Sequence, residues 1–204
     1  MPDLSHPPPV AIVKLGGSLM GDPGLPALLQ ALARQGAPLL LVAGGGPLAD
    51  AVRALQPRLA LSDAACHRMA ILAMEQTAHA FVDLCRDHAL ALAATPEEIA
   101  AAHAEGRAAL WLPARMALAA SELPESWDLT SDSLSAWLAA QLGAVRLTLV
   151  KSAAAAPGSG PADWATAGLV DPLFPSFAAR LAGPVGLTTV PALLAASTQG
   201  DIAA

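Results

Sequence analysis

The sequence predicts an α/β fold, a three-layer αβα sandwich around a mainly parallel central sheet, in a single domain over residues 1–204. Three observations carry this. Short apolar runs bounded by turn residues alternate with helical segments. The first two runs lead straight into glycine turns. No internal repeat and no long linker divides the chain. Alanine fills 49 of the 204 positions and leucine 34, a skew that weakens arguments from propensity, so the runs and their punctuation decide.

In chain order, the Pro7-Pro8-Pro9 lead gives way to Val10–Leu15, read as a buried strand ending at Gly16-Gly17-Ser18. A helix follows over 25–35, with Gly36 as its C-terminal cap. Residues 38–43 form a second buried strand closed by Gly44-Gly45-Gly46, and Pro47 suits the first turn of the next helix. Ser62-Asp63 caps a long helix to about Asp87, with Met69, Leu72, Gln76 and His79 at helical spacing. A short strand is expected over Ala89–Ala93, a helix from Thr95-Pro96-Glu97-Glu98, and a strand at 108–112. Thr130-Ser131-Asp132 precedes a helix over Ser133–Leu142 that Gly143 ends. Val145–Val150 is a strand running into Lys151, and Ser152–Gly160 reads as a flexible loop. A helix near 174–181, a strand near 185–190 and a last helical turn complete the chain.

Composition excludes several classes. With 54% hydrophobic and 14% charged residues the chain is neither disordered nor supercharged, and a net charge of −6 argues against a nucleic-acid partner. Cys66 and Cys85 fall nineteen residues apart on one helix, too far for a disulfide. The N-terminus shows no basic region followed by an apolar core. Leu181–Gly200 is uncharged but broken by Gly183, Pro184, Gly186 and Pro191, so it reads as a strand plus a helix rather than a membrane span. The expectation is a cytoplasmic protein with no membrane partner.

The basic residues are uneven: nine arginines and only two lysines, Lys14 and Lys151. Both stand at the C-terminal ends of predicted strands, the edge where open α/β sheets bind ligands. An ammonium there neutralises charge on a transferring phosphoryl group, whereas the plainer role is an edge lysine reaching solvent. The glycine turns let backbone approach an anion, yet neither has the spacing of a dinucleotide fingerprint or a P-loop. Asp132 is either a first-turn acid suited to the helix dipole or a carboxylate that orients an ammonium or binds Mg²⁺ through water.

Val13-Lys14-Leu15-Gly16-Gly17-Ser18, Val42-Ala43-Gly44-Gly45-Gly46 and Thr130-Ser131-Asp132, in that order, resemble the amino acid kinase superfamily. Leu61-Ser62-Asp63 with His67–Ile71, Trp127 before Leu129–Leu134, and Val170–Pro175 are similar to the aminomethylfuran phosphate kinases of methanofuran biosynthesis. The resemblance implies an ATP-dependent kinase that converts a small phosphate-bearing acceptor, [5-(aminomethyl)furan-3-yl]methyl phosphate, to its diphosphate. It further implies Mg²⁺ as the nucleotide's companion, no protein metal site, and a homodimer or larger homo-oligomer. By the same resemblance Lys14 and Asp132 are catalytic. Gly16, Gly17, Lys151 and Ser152 hold nucleotide phosphates. Ser18, Gly45, Gly46, His67, Thr130 and Asp171 serve the acceptor. For His67 the competing role is a partly buried helix histidine, and for Asp171 a turn residue before Pro172. The chain departs from the family in two places. Ser152-Ala153-Ala154-Ala155-Ala156 replaces an acidic-glycine nucleotide loop, and no lysine follows Lys151, leaving Arg180 as a substitute for a second catalytic lysine. These departures motivate the alternative of a catalytically silent kinase-fold subunit.

Overall fold

The structure, a computed structural model, describes residues 10–36, 38–85 and 90–197. The Pro7-Pro8-Pro9 lead, the expected helix end at Asp87 and the expected strand start at Ala89 lie outside these residues. Six strands form one sheet: β1 (Ala11–Leu15), β2 (Leu39–Ala43), β3 (Ala91–Ala93), β4 (Ala109–Trp111), β5 (Arg146–Lys151) and β6 (Val185–Thr189). Their order is β3-β4-β2-β1-β5-β6 and every neighbouring pair is parallel. The expected mainly parallel sheet is thus parallel throughout the described residues.

The strands are apolar on both sides because helices cover both faces. Ile12, Leu40, Val42, Leu147 and Leu149 belong to one core layer, and Val13, Leu15, Leu39, Leu41 and Val150 to the other. The second layer is closed by α1 (Leu25–Gln35), the C-terminal half of α3 (Asp63–Leu84) and α9 (Val190–Ser197). The first is closed by α4 (Pro96–Ala104), α6 (Ser131–Gln141), α7 (Pro161–Thr166), α8 (Phe174–Ala178) and the N-terminal half of α3. Two α-helices remain among the described residues: α2 (Gly46–Leu59), packed on α3, and the short α5 (Ala114–Ala117). Period-two alternation puts Lys14 on the Ile12 side of the sheet, the side α6 covers.

The punctuation acts as expected. Gly36 takes φ 68° beyond α1, Pro47 sits in the first turn of α2, and Ser62 Oγ accepts the Ala65 N–H at 3.2 Å. Thr95 Oγ1 likewise accepts the Glu98 N–H at 3.2 Å, opening α4. The long helix turns the other way from the stripe that marked it. Leu72, Gln76 and His79 are exposed, whereas Cys66, His67, Ile71, Met74, Ala78 and Phe81 are buried. Alanine supports either face, so the few large side chains misdirect the phase. The segments α5, α7 and the 3₁₀ turn Gly17–Gly21 were not expected. The loop before α7 is pinned by Trp164, whose Nε1–H donates to Ser159 Oγ at 2.9 Å while its ring packs on Phe174.

The two glycine turns touch each other. A Cβ on Gly17 would lie 2.3 Å from the Gly46 amide nitrogen, and Gly46 itself adopts φ 54°. Any larger residue at Gly17 forces apart the ends of β1 and β2. Gly17→Ala therefore lowers the unfolding free energy by about 1–3 kcal/mol in urea titration. Gly21→Ala, with nothing within 4 Å of its Cβ, stays within about 0.5 kcal/mol of wild type. Equal stability of the two variants would show that the turns have room to separate.

Candidate active site

The C-terminal ends of β1, β2 and β5 and the N-terminus of α6 surround a cavity of about 310 Å³. Asp132, in the first turn of α6, is 3% exposed and lies between the two lysines. Lys14 Nζ donates to its Oδ1 at 2.6 Å, and Lys151 Nζ donates to its Oδ2 at 2.6 Å. Lys14 is itself buried at the end of β1, and Lys151 is the last residue of β5. Burial pushes the Asp132 carboxyl up, but Lys14 and Lys151 outweigh it, and the group is held below its ordinary range as a carboxylate. Burial and the nearby Lys14 charge lower Lys151 to about 8, with Asp132 opposing them.

The helix that carries Asp132 is positioned by a second buried carboxylate. Asp171 Oδ2 accepts from the Thr130 N–H at 3.0 Å, from Thr130 Oγ1 at 2.8 Å and from the Ser133 N–H at 3.0 Å. Its Oδ1 accepts from Ser133 Oγ. A carboxylate at the N-terminus of α6 satisfies donors the helix leaves open and suits the helix dipole. Asp171 is not among the residues lining the cavity, and both of its oxygens are engaged in capping α6, where a substrate contact was expected. Thr130 lines the cavity, but its hydroxyl is engaged by Asp171 and by the Asp132 N–H.

Lys14, Gly16, Gly17, Ser18, Gly45, Gly46, His67, Asp132 and Lys151 are brought together as cavity lining. Gly16 nevertheless differs from its expected role, because its N–H donates to the Val150 carbonyl at 3.0 Å and extends the sheet. It gives close approach, not an amide for phosphate. Ser152 is exposed and lines no described cavity. Arg180 stacks on Phe177, with Cζ 4.6 Å from the ring centroid, and is not among the cavity residues. His67 is buried on α3 and lines the cavity. Burial lowers its pKa, with Glu125 opposing and Arg68 assisting, and it faces the cavity as a neutral imidazole near pH 7.

Sequence reasoning passed over the opposite wall, formed by Asp50 and Arg53 of α2, Met74 of α3, Leu134 of α6 and the indole of Trp127. The i, i+3, i+6 spacing of Asp50, Arg53 and Gln56 was the available signal, since it puts three polar side chains on one helix face. Among the described residues, no group of three or more His, Cys, Asp or Glu side chains could hold a metal ion. Both Asp132 oxygens accept from lysines. Cys66 and Cys85 are free and buried, and burial pushes the Cys85 thiol up to about 11.

A parallel sheet whose carboxyl edge gathers two ammonium groups and two glycine turns around one cavity defines the class, an α/β protein with a cationic cavity at its sheet edge. The chain belongs to the amino acid kinase family, whose model matches residues 9–155. It is 31% identical over 130 residues to the [5-(aminomethyl)furan-3-yl]methyl phosphate kinase of Methanocaldococcus jannaschii. That match takes in 62% of this chain and 58% of the relative's length. The fold is shared with the uridylate kinase of Archaeoglobus fulgidus, at TM-score 0.63 and 17% identity over 93% of this chain and 95% of that one. It is shared also with the UMP kinase of Bacillus anthracis, at TM-score 0.67 and 11% identity over 94% and 92%.

Removing the central carboxylate leaves two buried ammonium groups facing each other. Asp132→Asn therefore destabilises the protein by about 3 kcal/mol or more in urea titration. Unchanged stability would mean that the lysines are held by something other than Asp132.

Proposed function

We propose that the protein transfers the γ-phosphoryl group of MgATP to the phosphate of a small acceptor, with [5-(aminomethyl)furan-3-yl]methyl phosphate as that acceptor and its diphosphate as product. The single observation that carries the reading is Asp132 between Lys14 and Lys151 at 2.6 Å on either oxygen. Two ammonium groups held on one carboxylate at a cavity floor are placed to neutralise the charge of two phosphates brought together. In the transfer, an oxygen of the acceptor phosphate forms a bond to the γ-phosphorus. The bond from that phosphorus to the β,γ-bridging oxygen breaks, and its electron pair leaves with ADP. The attacking oxygen is already anionic, so no base is needed to take a proton.

Each side chain then has a task. Lys14 neutralises the transferring group and Lys151 the nucleotide phosphates, while Asp132 fixes the distance between the two cations. Gly17, Gly45 and Gly46 allow phosphate oxygens to approach backbone, and Ser18 and neutral His67 offer hydrogen bonds to the acceptor. Magnesium, arriving with the nucleotide, supplies further charge neutralisation on its phosphates. The buried triad argues against the silent subunit, since nothing in that role would maintain two desolvated ammonium groups. The homo-oligomer implied by the resemblance is part of the proposal and is supported by Leu48, Leu59 and Leu72, all exposed on α2 and α3.

The test is ADP release from MgATP in the presence of the furan phosphate. Wild type turns over, and Lys14→Ala lowers kcat by about 10²–10³. No turnover with any phosphate acceptor, or full turnover in Lys14→Ala, overturns the reading. The pH profile gives a second check. The working form of Lys151 is the ammonium, which is lost as pH rises through about 8. Wild-type kcat/KM, which reports the free enzyme, should therefore fall about tenfold per pH unit above that point. In Lys151→Arg the guanidinium stays protonated and this limb disappears. Retention of the limb would assign it to another group.

A further inference from the structure

The far wall of the cavity is built around one held side chain. Trp127 is half-buried in the segment leading into α6 and lines the cavity. Its Nε1–H donates to Gln56 Oε1 at 2.6 Å, and Gln56 Nε2 in turn donates to Asp63 Oδ1 at 2.7 Å. These two bonds tie the indole to both α2 and the start of α3. Arg53, one turn before Gln56, lays its guanidinium over the ring with Cζ 4.4 Å from the centroid. The ring is therefore fixed in rotation by its edge and in tilt by its face. The other three tryptophans differ, because Trp111, Trp137 and Trp164 are all buried in the first core layer. A residue held this firmly at the rim of a cavity, and not inside a core, is placed as a surface for something else.

The neighbouring wall narrows what that is. Ile71, Met74, Leu129 and Leu134 present hydrocarbon beside the indole. The charged groups of the wall, Asp50 and Arg53, face each other at 3.9 Å near its mouth. An acceptor with its phosphate at the lysines thus meets the indole and apolar side chains on this wall, with Ser18 and His67 as polar neighbours. Planar rings gain from offset or edge-on contact with an indole beyond the area they bury, whereas saturated chains gain only the area.

We infer that Trp127, fixed by Arg53 and Gln56, is the specificity-determining surface of the acceptor site and selects phosphates carried on a planar aromatic ring over those carried on saturated chains. The inference rests on the proposed kinase activity for its kinetic form. It also stands on binding, which keeps its failure separate from failure of that activity.

The experiment compares furfuryl phosphate and benzyl phosphate with 3-methylbutyl phosphate, in wild type, Trp127→Leu and Trp127→Phe. In wild type both ring phosphates have the higher kcat/KM with MgATP. Trp127→Leu reduces that preference about tenfold, the size of one aromatic contact, and Trp127→Phe restores most of it. A preference that is the same in Trp127→Leu as in wild type overturns the inference, as does a wild type that favours the alkyl phosphate. If wild type turns over none of the three, the same ratios are taken from dissociation constants by calorimetry, and the kinase reading is decided separately by the furan phosphate assay. Loss of ring preference in Trp127→Leu then still supports the stacking surface, and its persistence overturns it. Furfuryl phosphate should also quench the intrinsic fluorescence of wild type but not of Trp127→Leu, because the remaining indoles are buried away from the cavity.

Discussion

The structure turns on one carboxylate. Asp132 holds an ammonium on each oxygen, and the three residues arrive from β1, β5 and α6, with Lys14 118 residues and Lys151 19 residues from Asp132 along the chain. For the contacts to form, the two strands must lie side by side in register, and the helix must begin directly over their ends. Parallel pairing of β1 with β5 supplies the first condition, matching Lys14 with Leu149 and Leu15 with Val150. The Asp171 cap supplies the second, since it fixes the first turn of α6 through Thr130 and Ser133. Such an arrangement is a poor source of stability, because three charges are desolvated to make it. It persists where the fold is strong enough to carry that cost, and the run Asp132–Ala139 of α6 is buried throughout.

The same constraint explains the composition. Arginine serves everywhere else in this chain, yet both positions against Asp132 are lysine. A guanidinium presents a broad fork with several fixed donors, whereas an ammonium is compact and makes one short bond while keeping two donors for a ligand. Two guanidinium groups would overfill the space around a single buried carboxylate and cover the cavity floor. The contact between the glycine turns acts in the same direction. With Gly17 lying against Gly44 and Gly46, backbone replaces side chain along one margin of the cavity. The floor is left to the two cations.

Much of this was legible in the sequence, for reasons that differ by residue. Strand ends were visible because buried parallel strands are continuous apolar runs and glycine marks where they stop. The lysines stood out by scarcity, and Asp132 by its place in a capping motif. What stayed hidden depended on tertiary partners. Asp171 looked like a turn residue or a ligand group, because nothing local says that Thr130 and Ser133, some forty residues earlier, will use its oxygens. Gly16 looked like a phosphate amide until the sheet claimed its N–H. The buried face of α3 could not be phased from Met69 and Leu72, since alanine is equally content on either side. Arg53 and Gln56 are ordinary helix-surface residues until Trp127 is laid across them.

The absent second lysine is the sharpest case of a pattern that local reading misjudges. The resemblance implies a second catalytic cation from later in the chain, and Arg180 was the only basic residue left there to supply it. That side chain is drawn to Phe177 instead. The cation against the second oxygen of Asp132 comes from the end of β5, at the position where the family's acidic-glycine loop would begin. Strand β5 is one continuous rigid element, and Lys151 is its final residue, paired with Thr189 of β6. A cation fixed there is placed by the sheet itself. The charge is built into the strand itself, and Asp132 keeps Lys151 at a fixed distance from Lys14.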